Sequence, residues 1–262
     1  MKKLATFISL VVFSSCSSAS IIVPGSWMEM TGGSEDQTKN YLNPGYGGQY
    51  FDAEYLLYNF DSATNVLSLA LQTGFNIITN NQMYNSKKYW GGDIALSFDG
   101  IVDGDESSWE YAIDFGKETK GYNGEQVGND NPDAAGLYRV TNWTPDNYLY
   151  FEDSNPFAMH DGDSADQKLT EAQLNQTSGS ADNPDGYNGN NTSYYRIFSF
   201  DLDEIDGLDV ENISRLDAHW TMTCGNDQIH GYAKVPEPHA AWLISSGMIG
   251  LIGAGFVRRR KT

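Results

Sequence analysis

The chain has 262 residues, 40% hydrophobic and 13% aromatic, with 35 acidic against 16 basic side chains and a formal charge of −19. Six basic residues lie in the two terminal segments, so the body carries 10 Lys and Arg against 35 Asp and Glu, near −25 (one less if Glu237 leaves with the tail). Such a surface repels phosphate backbones and excludes nucleic acid as a partner, while it favours solubility and attracts divalent cations and basic partners.

Met1-Lys2-Lys3, the apolar run 4–13 and the small residues 14–20 predict a secretory signal peptide over 1–20, cut after Ala19 or Ser20. Ser14-Ser15-Cys16 also suits a lipoprotein signal with Cys16 lipidated, although Phe13 stands where that signal usually carries Leu. Cys224 is then the one cysteine of the exported body. No intrachain disulfide can form, and burial of apolar surface has to hold the fold.

Residues 21–48, rich in Gly, Asn and Ser, are expected to form a flexible lead-in, with a β domain over 49–234. In 49–60, Phe51, Ala53, Tyr55 and Leu57 alternate with Asp52, Glu54, Leu56 and Tyr58, a half-buried strand. After the turn at 61–65, Leu67, Leu69 and Leu71 share one face, which predicts an antiparallel hairpin. Further strands are expected at 93–99 (Ile94, Leu96, Phe98), 109–115 (Trp109, Tyr111, Ile113 and Phe115 on one face) and 137–143. The polar stretch 161–192 reads as a connection, with a turn or two of helix at 169–174. In 194–202, Tyr195, Ile197 and Phe200 do not share a face, so a bulge or burial on both sides is expected. In the strand 214–224, Leu216, Ala218, Trp220, Met222 and Cys224 alternate with Asp217, His219, Thr221 and Thr223. A turn at Gly225-Asn226-Asp227 leads into a last strand, 228–235. Strands joined by Gly, Asn, Asp and Pro turns with almost no helix predict an all-β fold, an antiparallel β-sandwich of jelly-roll type.

Candidate sites are few. Cys224 with His219 or His230 has the composition of a thiol nucleophile and base. His219 is an odd number of residues from Cys224, however, so the two leave opposite faces of a strand and Cys224 reads as a core thiol. His160, His219, His230 and His239 show no zinc-ligand spacing. Asp99, Asp103 and Asp105 in one loop and Asp161, Asp163 and Asp166 in another offer hard oxygen ligands around glycines, a candidate for calcium, although Asp-Gly is equally a turn dipeptide. Glu110 and Glu152 are the carboxylates nearest to predicted strands, the composition of a hydrolase pair, with nothing else to single them out. Tyr46, Tyr89, Trp90, Trp143 and Tyr148 near turns suit sugar stacking, and equally suit a core.

At the C-terminus, Val235-Pro236-Glu237-Pro238 precede an uncharged run, 240–257, and then Arg258-Arg259-Arg260-Lys261. The run approaches the ~20 apolar residues of a transmembrane helix, and the basic cluster leaves the C-terminus cytoplasmic. The prolines keep the preceding segment extended and accessible. Together these parts resemble the PEP-CTERM sorting signal of Gram-negative bacteria. The resemblance implies recognition through Val235–Pro238, transfer stopped at Arg258–Arg260, and cutting by an exosortase-type membrane protease. An inner-membrane intermediate would then give way to the cell surface or the extracellular space. The simpler alternative is a permanent anchor. In the body, the hairpin 55–71, Gly92-Asp93-Ile94, Tyr111-Ala112-Ile113-Asp114, Gly136-Leu137-Tyr138 and the run 218–227 (AHWTMTCGND) resemble exosortase-dependent surface proteins. That group has no established catalytic chemistry, which implies architecture and export route alone. The expected function is a non-catalytic component of the cell surface or extracellular matrix, with no cofactor beyond the calcium candidate. The alternatives are a carbohydrate-binding module for exopolysaccharide and, behind it, a secreted hydrolase.

Overall fold

The computed structural model describes residues 20–34, 48–100, 108–127, 134–140, 142–144, 155–159, 167–168, 175–183, 191–225 and 227–235. The strands are β1 (Met28–Ser34), β2 (Ala53–Asp61), β3 (Val66–Thr73), β4 (Asn81–Tyr84), β5 (Lys87–Trp90), β6 (Ile94–Ser97), β7 (Tyr111–Asp114) and β8 (Gly136–Arg139). They continue as β9 (Trp143–Thr144), β10 (Ala158–Met159), β11 (Gln167–Lys168), β12 (Asn175–Asp182), β13 (Thr192–Asp201), β14 (Leu216–Thr221) and β15 (Gln228–Ala233). Eleven of them form one antiparallel sheet in the order β11-β8-β7-β6-β14-β15-β1-β2-β3-β13-β12, and β4-β5 and β9-β10 are separate pairs. The fold is all-β and antiparallel. Only short 3₁₀ turns interrupt it among the described residues.

The large sheet curls on itself. Phe115, just past β7, stacks on Phe198 of β13 at 5.3 Å, although the two strands lie far apart in the sheet order. Arg196 of β13 reaches the same place, donating to the carbonyl of Phe115 and lying over its ring. The two flanks therefore face each other, sandwich-like, around a core that includes Leu67, Leu69, Leu71, Ile94, Leu96, Ile113, Phe200 and Trp220. Burying side chains of this size contributes about 1.5–3 kcal/mol each, which is what a disulfide-free body relies on. The hairpin expected from alternation is β2–β3, and its three leucines face this core.

Several expectations need correction. Residues 28–34 are not part of a lead-in: β1 pairs with both β15 and β2 and joins the two flanks. In β2 a register shift between Ala53 and Tyr55 moves Tyr55 and Leu57 to the other face, where they pack with Val23 and Ala70. Leu56 takes the core side instead. Trp109 likewise leaves the face of Tyr111, Ile113 and Phe115 and packs with Trp143 and Met159. The stretch 137–143 is split between β8 and β9, and part of the polar connection is strand β12. β13 is regular, with Phe198 and Phe200 inside and Tyr195 and Ile197 packed on the opposite face, so burial on both sides is what occurs. The signal peptide, the helical stretch at 169–174 and the C-terminal span lie outside the described residues. No helix among the described residues is long and apolar enough to cross a membrane.

Around β14 the chain is fastened by side chains on its polar face. Thr223 Oγ1 accepts from Trp90 N at 2.6 Å and donates to Trp90 O at 2.5 Å. Thr221 donates to Asp227 O. Asp227 in turn accepts from Gln228 N and, across the sheet, from Ala53 N, both at 2.8 Å. Trp220 Nε1 donates to Gly92 O, where a Cβ would collide with the carbonyl of Phe157, so only glycine fits.

Candidate functional site

Two surfaces gather chemistry-bearing side chains. The first is the β4–β5 hairpin, closed by Asn85 and Ser86, both at positive φ, as a tight two-residue turn requires. Beneath it Phe51 is buried, with Tyr84 edge-on at 5.3 Å and Tyr89 edge-on at 4.9 Å. Tyr50 and Tyr122 extend this row, meeting Tyr84 and Tyr89 at about 6 Å. These four tyrosines are half-buried. Ammonium groups lie over the rings: Lys87 over Tyr122 and Tyr89, and Lys88 and Lys120 over Trp90. Glu118 pairs with Lys120 at 2.8 Å and with Lys88 at 3.8 Å, and the Lys120 hydrogen bond leads the effects that hold its carboxyl below the ordinary value. Lys87, Lys88, Lys117 and Lys120 are four of the body's ten basic residues, concentrated on β5 and the loop after β7. An otherwise acidic protein thus carries a local cationic and aromatic face, suited to stacking on sugar rings and meeting their acidic groups.

The second surface is the polar face of β14 and its neighbours. Asp217, fully buried, accepts a two-pronged bond from Arg215 (Nε and Nη2, each 2.6 Å) and a third contact from His230 Nε2 at 3.2 Å. Burial pushes its carboxyl up, but the hydrogen bonds of His230 and Arg215, with their charges, outweigh burial and hold it below the ordinary value. His219 and His230 are cross-strand partners, and the ring of Trp109 lies within 6 Å of both. Nearby, Ser97 donates to Asp99 at 3.0 Å and to Glu110 at 3.4 Å. Burial first, and the Asp99 charge second, raise the Glu110 carboxyl.

Cys224 packs in the main core with Trp220 and Met222, whereas His219 faces Trp109 on the other side of the sheet. The sheet separates thiol from imidazole. Trp90 and Trp143 are buried, and the indole of Trp143 donates to Trp109 O, so neither is a free sugar platform. Tyr89 is the sugar-stacking candidate that keeps surface. Asp99 sits beside Glu110, while Asp103, Asp105, Asp161, Asp163 and Asp166 lie outside the described residues, as do Tyr46, Tyr148, Glu152, His160 and His239. Among the described residues no three His, Cys, Asp or Glu side chains gather as metal ligands would.

Val235, the first residue of the candidate sorting motif, is a core residue packed into the body. Pro236, Glu237, Pro238 and Arg258, Arg259 and Arg260 lie outside the described residues. Sequence reasoning also missed the Arg215–Asp217–His230 contact. Its signal was present, since Arg215 and Asp217 share a strand face and the β14–β15 hairpin returns His230 to it. The chain matches no protein-family model, no curated protein and no solved structure.

Proposed function

We propose that this chain is a non-catalytic component of a bacterial cell surface or extracellular matrix, exported through its N-terminal signal and sorted by an exosortase-type membrane protease. The observation that carries this reading is the junction at Val235. The last core residue is followed at once by Pro236-Glu237-Pro238, then the apolar run and the arginines. β15 is an interior strand, flanked by β14 and β1, so a cut beyond Val235 leaves the body's core whole. Two prolines just past that boundary disfavour helix and favour an extended segment, the form a protease cleft accepts. The Glu237→Ala/Pro238→Ala double variant is expected to accumulate at full length in the membrane fraction, while the wild type is released with a shortened C-terminus. Release of the variant at the wild-type rate overturns the reading.

A second reading, binding of exopolysaccharide, is favoured by the β4–β5 face. Half-buried Tyr84, Tyr89 and Tyr122 beside Lys87, Lys88 and Lys120 suit a polysaccharide that carries carboxylate or sulfate groups. The two readings are compatible, since a matrix component needs a matrix to hold. The jelly-roll form of the sandwich belongs to the same proposal. It is supported by the chain passing between the two flanks, from β3 towards β6 and from β13 to β14.

A further inference from the structure

One deeply buried polar network has a carboxylate at its centre and, among the described residues, no partner of opposite sign. Glu54 accepts three hydrogen bonds, each 2.5 Å: Gln49 Nε2 and Ser193 Oγ to Oε1, and Gln72 Nε2 to Oε2. Asn183 Nδ2 donates to Ser193 Oγ at 3.0 Å. Gln49, Glu54, Gln72, Asn183 and Ser193 are all at most 4% exposed. No ion pair among the described residues includes Glu54, and burial leads the effects that raise its carboxyl. A buried carboxylate held by neutral donors alone is costly, and a cation nearby relieves it.

Both arms of the network end on one residue. Gln72 Nε2 also donates to Ser20 O at 2.8 Å, and Asn183 Oδ1 faces Ser20 N at 3.5 Å. Gln72 Oε1 further accepts from Ile22 N at 2.8 Å, which fixes the direction of the segment. Ser20 itself is exposed, so a charge on its nitrogen stays hydrated while lying three hydrogen bonds from Glu54, through Asn183 and Ser193. Ser20 is also where the signal peptide is expected to end. A cut after Ser20 would remove the carbonyl that Gln72 holds. A cut after Ala19 keeps every one of these bonds.

We propose that Ser20 is the mature N-terminal residue and that its α-ammonium, seated on Asn183, is the counter-charge of the buried Glu54 network. Hydrolysis of the Ala19–Ser20 bond adds the hydroxyl of water to the Ala19 carbonyl carbon and a hydrogen to the Ser20 nitrogen, which then takes up a proton. Removal of the signal thereby completes the fold's electrostatics, and the uncut chain lacks that charge. The cleavage rests on the export reading; the socket does not.

Two measurements separate them. Intact mass and N-terminal sequencing of the exported protein are expected to show Ser20 first. A start at Ile21, or a blocked start at Cys16, overturns the assignment, and recovery of only uncut protein sinks the export reading. Independently, the chain from Ser20 to Thr262 is compared with one that keeps Ala19 in front, each with Glu54 and with Glu54→Gln. The extra residue is expected to lower Tm by about 2–4 °C, the effect of roughly 1 kcal/mol in a body of this size, and by less than half as much in the Glu54→Gln pair. No effect of Ala19, or an equal effect in both pairs, overturns the socket. Should Glu54→Gln fail to fold, titration of ¹⁵N-labelled Ser20 decides: its α-amine is expected above the usual ~7.7–8.0, and a value within or below that range overturns the proposal.

Discussion

Asp217 and Arg196 show how single side chains inside this sheet are held in opposite ways. Asp217 is a buried charge with its counter-charges attached, and its carboxyl is kept ionised. Arg196 lies against Phe115 and Phe198 and donates to the carbonyls of Phe115 and Ile77; burial lowers its pKa to about 10, with Asp114 acting the other way. A depressed carboxyl pKa contributes stability that is present above the unfolded value, near 3.9, and is lost as pH falls through the folded value. Asp217→Asn is therefore expected to lose about 1–2 kcal/mol at pH 7, the worth of charge-assisted bonds discounted for partly exposed partners. The deficit should begin to shrink below about pH 4 and close only as pH falls through the lower folded value, where the wild-type carboxyl is also neutral. Urea denaturation at a series of pH values reads this directly, and a deficit that does not change with pH would assign the effect to packing.

Among the elements, those that periodicity made visible are the ones with one apolar face: β3, β6, β7 from Tyr111 onward, and β14. β12 was invisible because Asn-Gln-Thr-Ser-Gly-Ser-Ala-Asp has no apolar alternation. It is a strand because β13 offers a full ladder of backbone partners, from Asn175↔Ser199 to Asp182↔Thr192. As an edge strand it needs no buried face on its outer side. β1 was hidden by the Gly-, Asn- and Ser-rich composition of 21–48, which suggests a flexible lead-in, yet it closes the gap between β15 and β2. Asp217, His219, Thr221, Thr223 and Asp227 are buried connectors rather than a solvated face, and Asp227 is the clearest case. Asp227→Ala removes the acceptor of Ala53 N and Gln228 N, tying β2 to the β14–β15 turn. It is expected to cost about 1–3 kcal/mol, the penalty of leaving a buried donor unmet, measured by urea denaturation. A loss below about 0.5 kcal/mol would show that water replaces the carboxylate there.

For the whole molecule the decisive quantity is where the few positive charges sit. A body near −25 repels polyanions at long range, but within a Debye length of ~8 Å at physiological salt the local lysines dominate. Affinity gel electrophoresis is expected to show retardation by a uronic-acid polysaccharide and not by neutral dextran. Lys87→Glu/Lys88→Glu should reduce that retardation at least threefold without changing the melting temperature by more than a few degrees. Equal retardation of the charge-reversed protein excludes this face.

Composition and order along the chain were enough for the all-β class, the leucine-faced hairpin and the core thiol at Cys224, because alternation with period two is a property of neighbours in sequence. They also hold the two terminal patterns on which the export proposal rests, and such patterns need no folded partner to be read. Only the tertiary structure placed β1 at the centre of the sheet, moved Tyr55 and Trp109 across it, drew Val235 into the core and brought Ser20 beside Glu54 through Gln72 and Asn183. Those contacts join residues far apart in the chain, 163 positions in the case of Ser20 and Asn183. Their geometry arises when a long sheet curls and its flanks meet, and no local pattern encodes where that closure falls.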